Sequence, residues 1–198
     1  HPATQALREL MRPDTHVWLA RPEPIRDASR IDAYRAMLTD AERERGMRFR
    51  FERHRHQYWV TRALARTTLS RYLDVPPDAW RFEPSEHGRP QIVSPRAPSA
   101  LSFNLSHTDG LVACAVAWNG VIGCDVVDLE RRVEADGIAQ RFFAPSEWRA
   151  LQASPGELHK QRFLELWTLK ESYLKACGTG LRTPLEAFAF ELSERAGD

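Results

Sequence analysis

Glu171 and Asp125 are the two acids whose surroundings call for chemistry. Glu171 lies in Leu166-Trp167-Thr168-Leu169-Lys170-Glu171-Ser172-Tyr173-Leu174-Lys175. At helical period, Phe163, Leu166, Trp167, Tyr173, Leu174 and Cys177 form one apolar stripe, with Lys170 near its middle and Glu171 at its edge. A lysine and a carboxylate half-buried on a core helix are costly to desolvate without partners, so an anion or a metal is expected to dock there. The plainer reading of Glu171 and Lys175 is a solvated pair one turn apart. Asp125 sits inside an apolar stretch. Read as a strand, this stretch puts Ile122, Cys124 and Val126 on one face and Gly123, Asp125 and Val127 on the other. Aspartate disfavours strands and is rarely buried alone, so a ligand or metal role is expected. Two carboxylates with room for water suit Mg²⁺, which completes its shell with waters and substrate phosphates. The nearby cations Lys170, Lys175 and His107 point to a phosphate-bearing substrate and phosphoryl-type transfer.

A second source of positive charge precedes them. Between 42 and 71 the chain carries Arg43, Arg45, Arg48, Arg50, Arg53, Arg55, Arg62, Arg66 and Arg71. Phe49, Phe51, Tyr58, Trp59, Leu64 and Leu69 supply the packing face of one long or two short helices. Most of these arginines read as solvated. As a cluster they offer forked donors to phosphate, with nucleic acid as the competing polyanion. A Walker loop, HExxH, GxSxG and zinc-type Cys/His spacing are all missing from the chain.

The elements that must position these groups follow from pattern. A strand is expected over 15–20 and a helix over 31–38, with Thr39-Asp40-Ala41-Glu42 as a capping box opening the next helix. Short strands are expected at 80–83 and 101–107, with Gly88-Arg89-Pro90 and a Pro/Ser loop to Ser99 between them. The apolar run 111–117, Asn119-Gly120 and 121–129 read as a hairpin. Helices follow at 138–143, from Pro145, and from 158 to a stop at Gly178-Thr179-Gly180. A last strand is expected at 188–192, and it needs partners.

With 198 residues, 42% hydrophobic and 28% charged, the chain can bury one substantial core or two small lobes. A net charge of +1 argues against wholesale nucleic-acid binding. No apolar run approaches the ~20 residues of a membrane span, and no signal-peptide pattern opens the chain. The start at His1-Pro2 without Met suggests missing leading residues. Three cysteines, an odd number with no CxxC, fit a reduced, cytoplasmic compartment.

Gly123-Cys124-Asp125, followed by Trp167-Thr168-Leu169-Lys170-Glu171-Ser172-Tyr173-Leu174-Lys175, resembles the paired signature of the Sfp-type 4′-phosphopantetheinyl transferases. Gly88-Arg89-Pro90, Phe103-Asn104-Leu105-Ser106-His107, and Arg141-Phe142-Phe143 before Ser146-Glu147 are the supporting blocks. The resemblance runs from about 39 to the end. It implies an α+β fold of two similar lobes related by a pseudo-twofold axis, each an antiparallel sheet packed with helices. Coenzyme A lies in the cleft between them. The lobes correspond to 1–118, on the nucleotide side, and 119–198, carrying metal and catalytic helix and incomplete at its C-terminal end.

The implied reaction moves 4′-phosphopantetheine from coenzyme A to a serine of an apo acyl or peptidyl carrier protein. It releases adenosine 3′,5′-bisphosphate and uses Mg²⁺, with Mn²⁺ as a substitute. By this resemblance Asp125 and Glu171 hold the metal, and Glu171 and Lys175 are catalytic, Glu171 being a candidate to deprotonate the serine directly or through a metal-bound water. Ser106, His107 and the Gly88-Arg89-Pro90 block contact coenzyme A with Asp125, Lys170 and Lys175, while Arg45 and Arg48 face its 3′-phosphate. A cytoplasmic monomer without nucleic-acid or membrane partners is implied. Val127 stands where many members carry a further carboxylate. A catalytically silent coenzyme A or carrier-protein binding module is therefore the second reading, and a basic nucleic-acid-binding protein the third.

Overall fold

The computed structural model describes residues 15–85, 88–98 and 100–192. Ser99, at the end of the expected Pro/Ser loop, and the first fourteen residues of the expected first lobe lie outside them. Strand β1 (His16–Ala20) leads to α1 (Ala28–Ala36), whose N-terminus is capped by Asp27 accepting from the Arg30 N–H. Helix α2 (Asp40–Met47) opens with the expected reciprocal capping box between Thr39 and Glu42. The arginine-rich stretch is two helices, α2 and the longer α3 (Glu52–Leu69). Helix α3 turns Trp59, Val60, Ala63, Ala65 and Leu69 inward. Gly46 of α2 lies flat on the Trp59 ring, where any side chain would collide with the indole.

Strands β2 (Arg81–Pro84) and β3 (Pro90–Ser94) form a small antiparallel ribbon. Strands β4 (Leu101–Thr108) and β5 (Leu111–Trp118) complete a three-stranded antiparallel sheet in the order β1-β5-β4. One face of that sheet presents Leu101, Phe103, Cys114 and Val116 to Ala65, Leu69, Tyr72 and Trp80. The opposite face presents Ala113, Ala115 and Ala117, whose small side chains admit Ile122, Cys124 and Val126.

The hairpin is not where the apolar run and Asn119-Gly120 suggested. The chain reverses at Asp109-Gly110, with Gly110 at φ +78°, and β5 pairs with β4 from Leu101 opposite Trp118 to Thr108 opposite Leu111. Residues 121–128 form no ladder. Side chains on one face of β4 take the bonds a neighbouring strand would have made. Asn104 Oδ1 accepts from the Cys124 N–H at 2.9 Å and Ser106 Oγ from the Val126 N–H at 3.2 Å, while Ser102 Oγ donates to the Gly120 carbonyl. The alternation of faces survives. Ile122, Cys124 and Val126 cover the sheet, whereas Asp125 and Val127 look the other way.

The C-terminal half carries α4 (Ala135–Phe142), α5 (Pro145–Gln152) and α6 (Gly156–Cys177). Gly178, left-handed at φ +68°, ends α6 as expected. These helices share a core of Ala139, Phe143, Leu151, Phe163, Leu164, Leu166, Leu174 and Leu185. The strand expected at 188–192 is absent among the described residues. The Phe190 N–H donates to Glu147 and the Phe188 carbonyl accepts from Lys170, so side chains again replace a ladder. The α+β class holds, and its paired strands, within the described residues, all lie before residue 119.

Gly123 is where the 121–128 segment meets α6. A Cβ there would overlap the Ser172 carbonyl oxygen and crowd the Ala176 nitrogen, both backbone atoms that cannot swing aside. Gly123→Ala is expected to cost ~1–3 kcal/mol, as overpacking does, and to lower turnover by displacing Asp125. Denaturant melts and rates on one preparation check this, and unchanged values for both would contradict it.

Candidate active site

Three elements meet at Asp125. It comes from the 121–128 segment, Ser106 from β4, and Lys175 from the last turn of α6. Lys175 Nζ donates to Asp125 Oδ1 at 2.6 Å and to Ser106 Oγ at 3.1 Å, and Ser106 Oγ donates to the same Oδ1 at 2.9 Å. Glu171 lies one helical turn before Lys175. It lines a cavity of about 230 Å³ with Gly88, Arg89, Pro90, Asn104, Leu105 and Lys175. Burial raises the Glu171 pKa above the usual carboxylate value and the charge of Asp125 raises it further, with Lys175 opposing. A carboxyl so perturbed in a cleft is a functional candidate on physical grounds.

A second cavity of about 470 Å³ shares Pro90 and Leu105 with the first and is lined by Arg45, Phe49, His54, Tyr58, Arg62 and His107. Beyond it, Arg45 and Phe49 also border a shallow hollow with Arg48. The cavities adjoin at Pro90 and Leu105, making a cleft from Glu171 to Arg45. Among the described residues no ion pair engages Arg45 or Arg48. His107 has its pKa lowered, first by burial and then by Lys175, which favours a neutral ring at neutral pH. The thiols have no evident part in this chemistry. All three cysteines are free, and burial pushes Cys114 up to about 12.

Residues 24–119 match the family model for the 4′-phosphopantetheinyl transferase N-terminal region, and residues 121–198 match that of the 4′-phosphopantetheinyl transferase superfamily. The 4′-phosphopantetheinyl transferase HetI of Nostoc sp. is 35% identical over 175 residues, 87% of this chain and 72% of that protein. The chain belongs to the 4′-phosphopantetheinyl transferases. It is an enzyme, transferring a 4′-phosphopantetheinyl group to a carrier protein. Two Bacillus subtilis relatives agree: a 4′-phosphopantetheinyl transferase is 32% identical (84% of this chain, 72% of the relative), and the transferase Sfp is 31% identical (82% and 70%).

The structure gathers Gly88, Arg89, Pro90, Glu171 and Lys175 around the smaller cavity, with Ser106 and Asp125 bonded to Lys175 beside it, and sets Arg45, Arg48 and His107 around the adjoining ones. It removes Lys170. That side chain is fully buried, its Nζ 2.7 Å from Glu147 Oε2 and from the carbonyls of Leu185 and Phe188, with the Phe143 and Phe188 rings around it. A lysine in an apolar stripe needed a partner, and the partner is an internal acid rather than a ligand. Arg89 is placed at the cleft but employed differently. Its Nη1 donates to the carbonyls of Lys175 and Ala176 and its Nη2 to that of Phe103. It thereby caps the open end of α6 and pins the backbone of Lys175.

Sequence reasoning named Asn104 and Glu147 only as members of motif blocks and gave neither a role. The polar alternation Ser102, Asn104, Ser106 along β4 was the available signal for the first. Glu147, only 2% exposed, had none beyond its place in a helix start.

Proposed function

We propose that coenzyme A lies along this cleft with its pyrophosphate at Lys175 and Ser106 and its 3′-phosphate at Arg45, Arg48 and His107. We further propose that Asp125 and Glu171 hold Mg²⁺. The convergence of Asp125, Ser106 and Lys175 beside Glu171, at one end of a cleft that continues to unpaired arginines, carries this reading. Among the described residues no group of three or more His, Cys, Asp or Glu could hold a metal. The residues nevertheless fit Mg²⁺. Asp125 raises the cost of ionising Glu171, a cost that a dication held by these oxygen donors would relieve, and Mg²⁺ commonly takes one or two carboxylates plus substrate phosphates. Val127 supplies no further ligand; it packs against the C-terminal core. Bound Mg²⁺ would supply positive charge to the pyrophosphate that is cleaved, easing the departure of adenosine 3′,5′-bisphosphate.

The chain's own groups do the rest. Glu171, which lines the cavity beside Lys175, takes the proton of the carrier serine hydroxyl. The serine oxygen forms the new bond to phosphorus, and the bond to adenosine 3′,5′-bisphosphate breaks. Lys175 carries positive charge to the phosphate oxygens, and His107 offers a neutral ring hydrogen bond. The two lobes divide at 118/119, a division supported by the family matches ending at 119 and resuming at 121. The enzyme acts as a cytoplasmic monomer without nucleic-acid partners. In support, both ends of the cleft come from one chain, and the net charge is +1. No described helix is long and apolar enough to cross a membrane.

Arg45→Glu is expected to weaken coenzyme A on the order of tenfold or more, the value of one charge-assisted contact, and 3′-dephospho-coenzyme A much less. Calorimetry with both ligands checks this. Equal losses would place the 3′-phosphate elsewhere.

A further inference from the structure

Asp125 Oδ1 receives two short hydrogen bonds, one from Lys175 Nζ at 2.6 Å and one from Ser106 Oγ at 2.9 Å. Two donors fill the acceptor capacity of one carboxylate oxygen. A metal on this oxygen must displace one of them, and a metal on Oδ2 still meets the repulsion of the Lys175 ammonium beside Oδ1. Ser106 is held in place, since its Oγ also accepts from the Val126 N–H, whereas among the described residues the Lys175 ammonium is bonded to these two oxygens and its side chain is 31% exposed on a long stem. Lys175 is therefore the partner that can leave. With its ammonium in place, Asp125, Glu171 and Lys175 sum to one negative charge instead of two, which lowers the attraction for a dication. Val127 adds no compensating carboxylate.

We propose that Lys175 is a placeholder cation: it neutralises Asp125 until the coenzyme A pyrophosphate draws its ammonium away, and so couples divalent-metal binding to coenzyme A binding. This rests on the reading of Asp125 and Glu171 as metal ligands. Linkage makes the coupling reciprocal, so the metal also favours coenzyme A. Lys175 acts here as a positioning residue in addition to any contact with phosphate.

Mn²⁺ titration, followed by calorimetry and by the electron spin resonance of free Mn²⁺, tests the proposal without reference to turnover. The wild-type protein is expected to bind Mn²⁺ weakly alone and on the order of tenfold or more tightly with saturating coenzyme A. Lys175→Met is expected to bind Mn²⁺ alone on the order of tenfold more tightly than wild type, with a smaller further gain from coenzyme A. Lys175→Gln keeps a hydrogen bond without charge and should show the same gain, which covers the case where the methionine variant does not fold. Lys160→Gln, at the far end of α6, should bind as wild type does. Unchanged or weaker Mn²⁺ binding by the folded Lys175 variants overturns the placeholder role while leaving the metal site standing. Absence of Mn²⁺ binding by every form, even with coenzyme A, overturns the metal reading and this inference together.

Discussion

Glu171→Gln is expected to lower transfer by about three orders of magnitude while leaving the protein folded. Glutamine keeps the size of the side chain but neither accepts a proton nor offers a charged ligand, and such a loss is worth several kcal/mol in the transition state. The same substitution should change stability in a defined direction. The folded-state pKa of Glu171 is raised, by burial first and Asp125 second, above its unfolded value. A group shifted this way contributes stability that is fully present below the unfolded pKa and is lost as pH rises through the folded one. With a chelator present, the variant should therefore match wild type in acid and exceed it at neutral pH. Thermal melts across pH, paired with single-turnover rates, measure both effects. Wild-type turnover would remove Glu171 from the chemistry, and a less stable variant at neutral pH would contradict the burial account.

Lys170→Met is expected to destabilise the transferase by about 3–5 kcal/mol, the cost of leaving a buried charge unpaired. Among the described residues Glu147 would keep the N–H groups of Ala144 and Phe190 as donors. For a chain of this size the melting temperature should fall by ~10 °C or more. The double variant Lys170→Met with Glu147→Gln should lose less than the sum of the two single changes, because each removes the charge that the other strands. Affinity for coenzyme A, measured well below the melting point, should be unchanged. A stable Lys170→Met protein with weakened coenzyme A binding would contradict the internal role and return Lys170 to the cleft.

The distance between these two neighbours shows what a sequence can and cannot carry. Helical period put Lys170 inside the stripe and Glu171 at its edge, and both placements hold. Period reveals that Lys170 needs a partner but not which one, since Glu147 lies 23 positions earlier on another helix. Asp125 shows a similar limit. Alternation assigned its face correctly, because consecutive side chains point opposite ways with or without a ladder. The ladder itself was misplaced. Asn119-Gly120 and Asp109-Gly110 are both hairpin signals, and the second, flanked by 101–108 and 111–118, supplies the real turn. What decided between them was the polar face of β4, whose Asn104 and Ser106 bind the passing backbone. Arg89 was legible as a residue of the cleft, but its bonds to α6 depend on where a helix 86 positions later happens to end.

The central claim is transfer chemistry at this cleft, and the most direct measurement is the mass of the product. The protein is incubated with coenzyme A, Mg²⁺ and a panel of apo acyl and peptidyl carrier proteins, and each carrier is weighed intact. The expected result is the addition of one phosphopantetheinyl group to a single serine of at least one carrier, with stoichiometric release of adenosine 3′,5′-bisphosphate and none with Glu171→Gln. Carriers left unmodified by a folded protein that binds coenzyme A would contradict the claim and leave a binding module in its place.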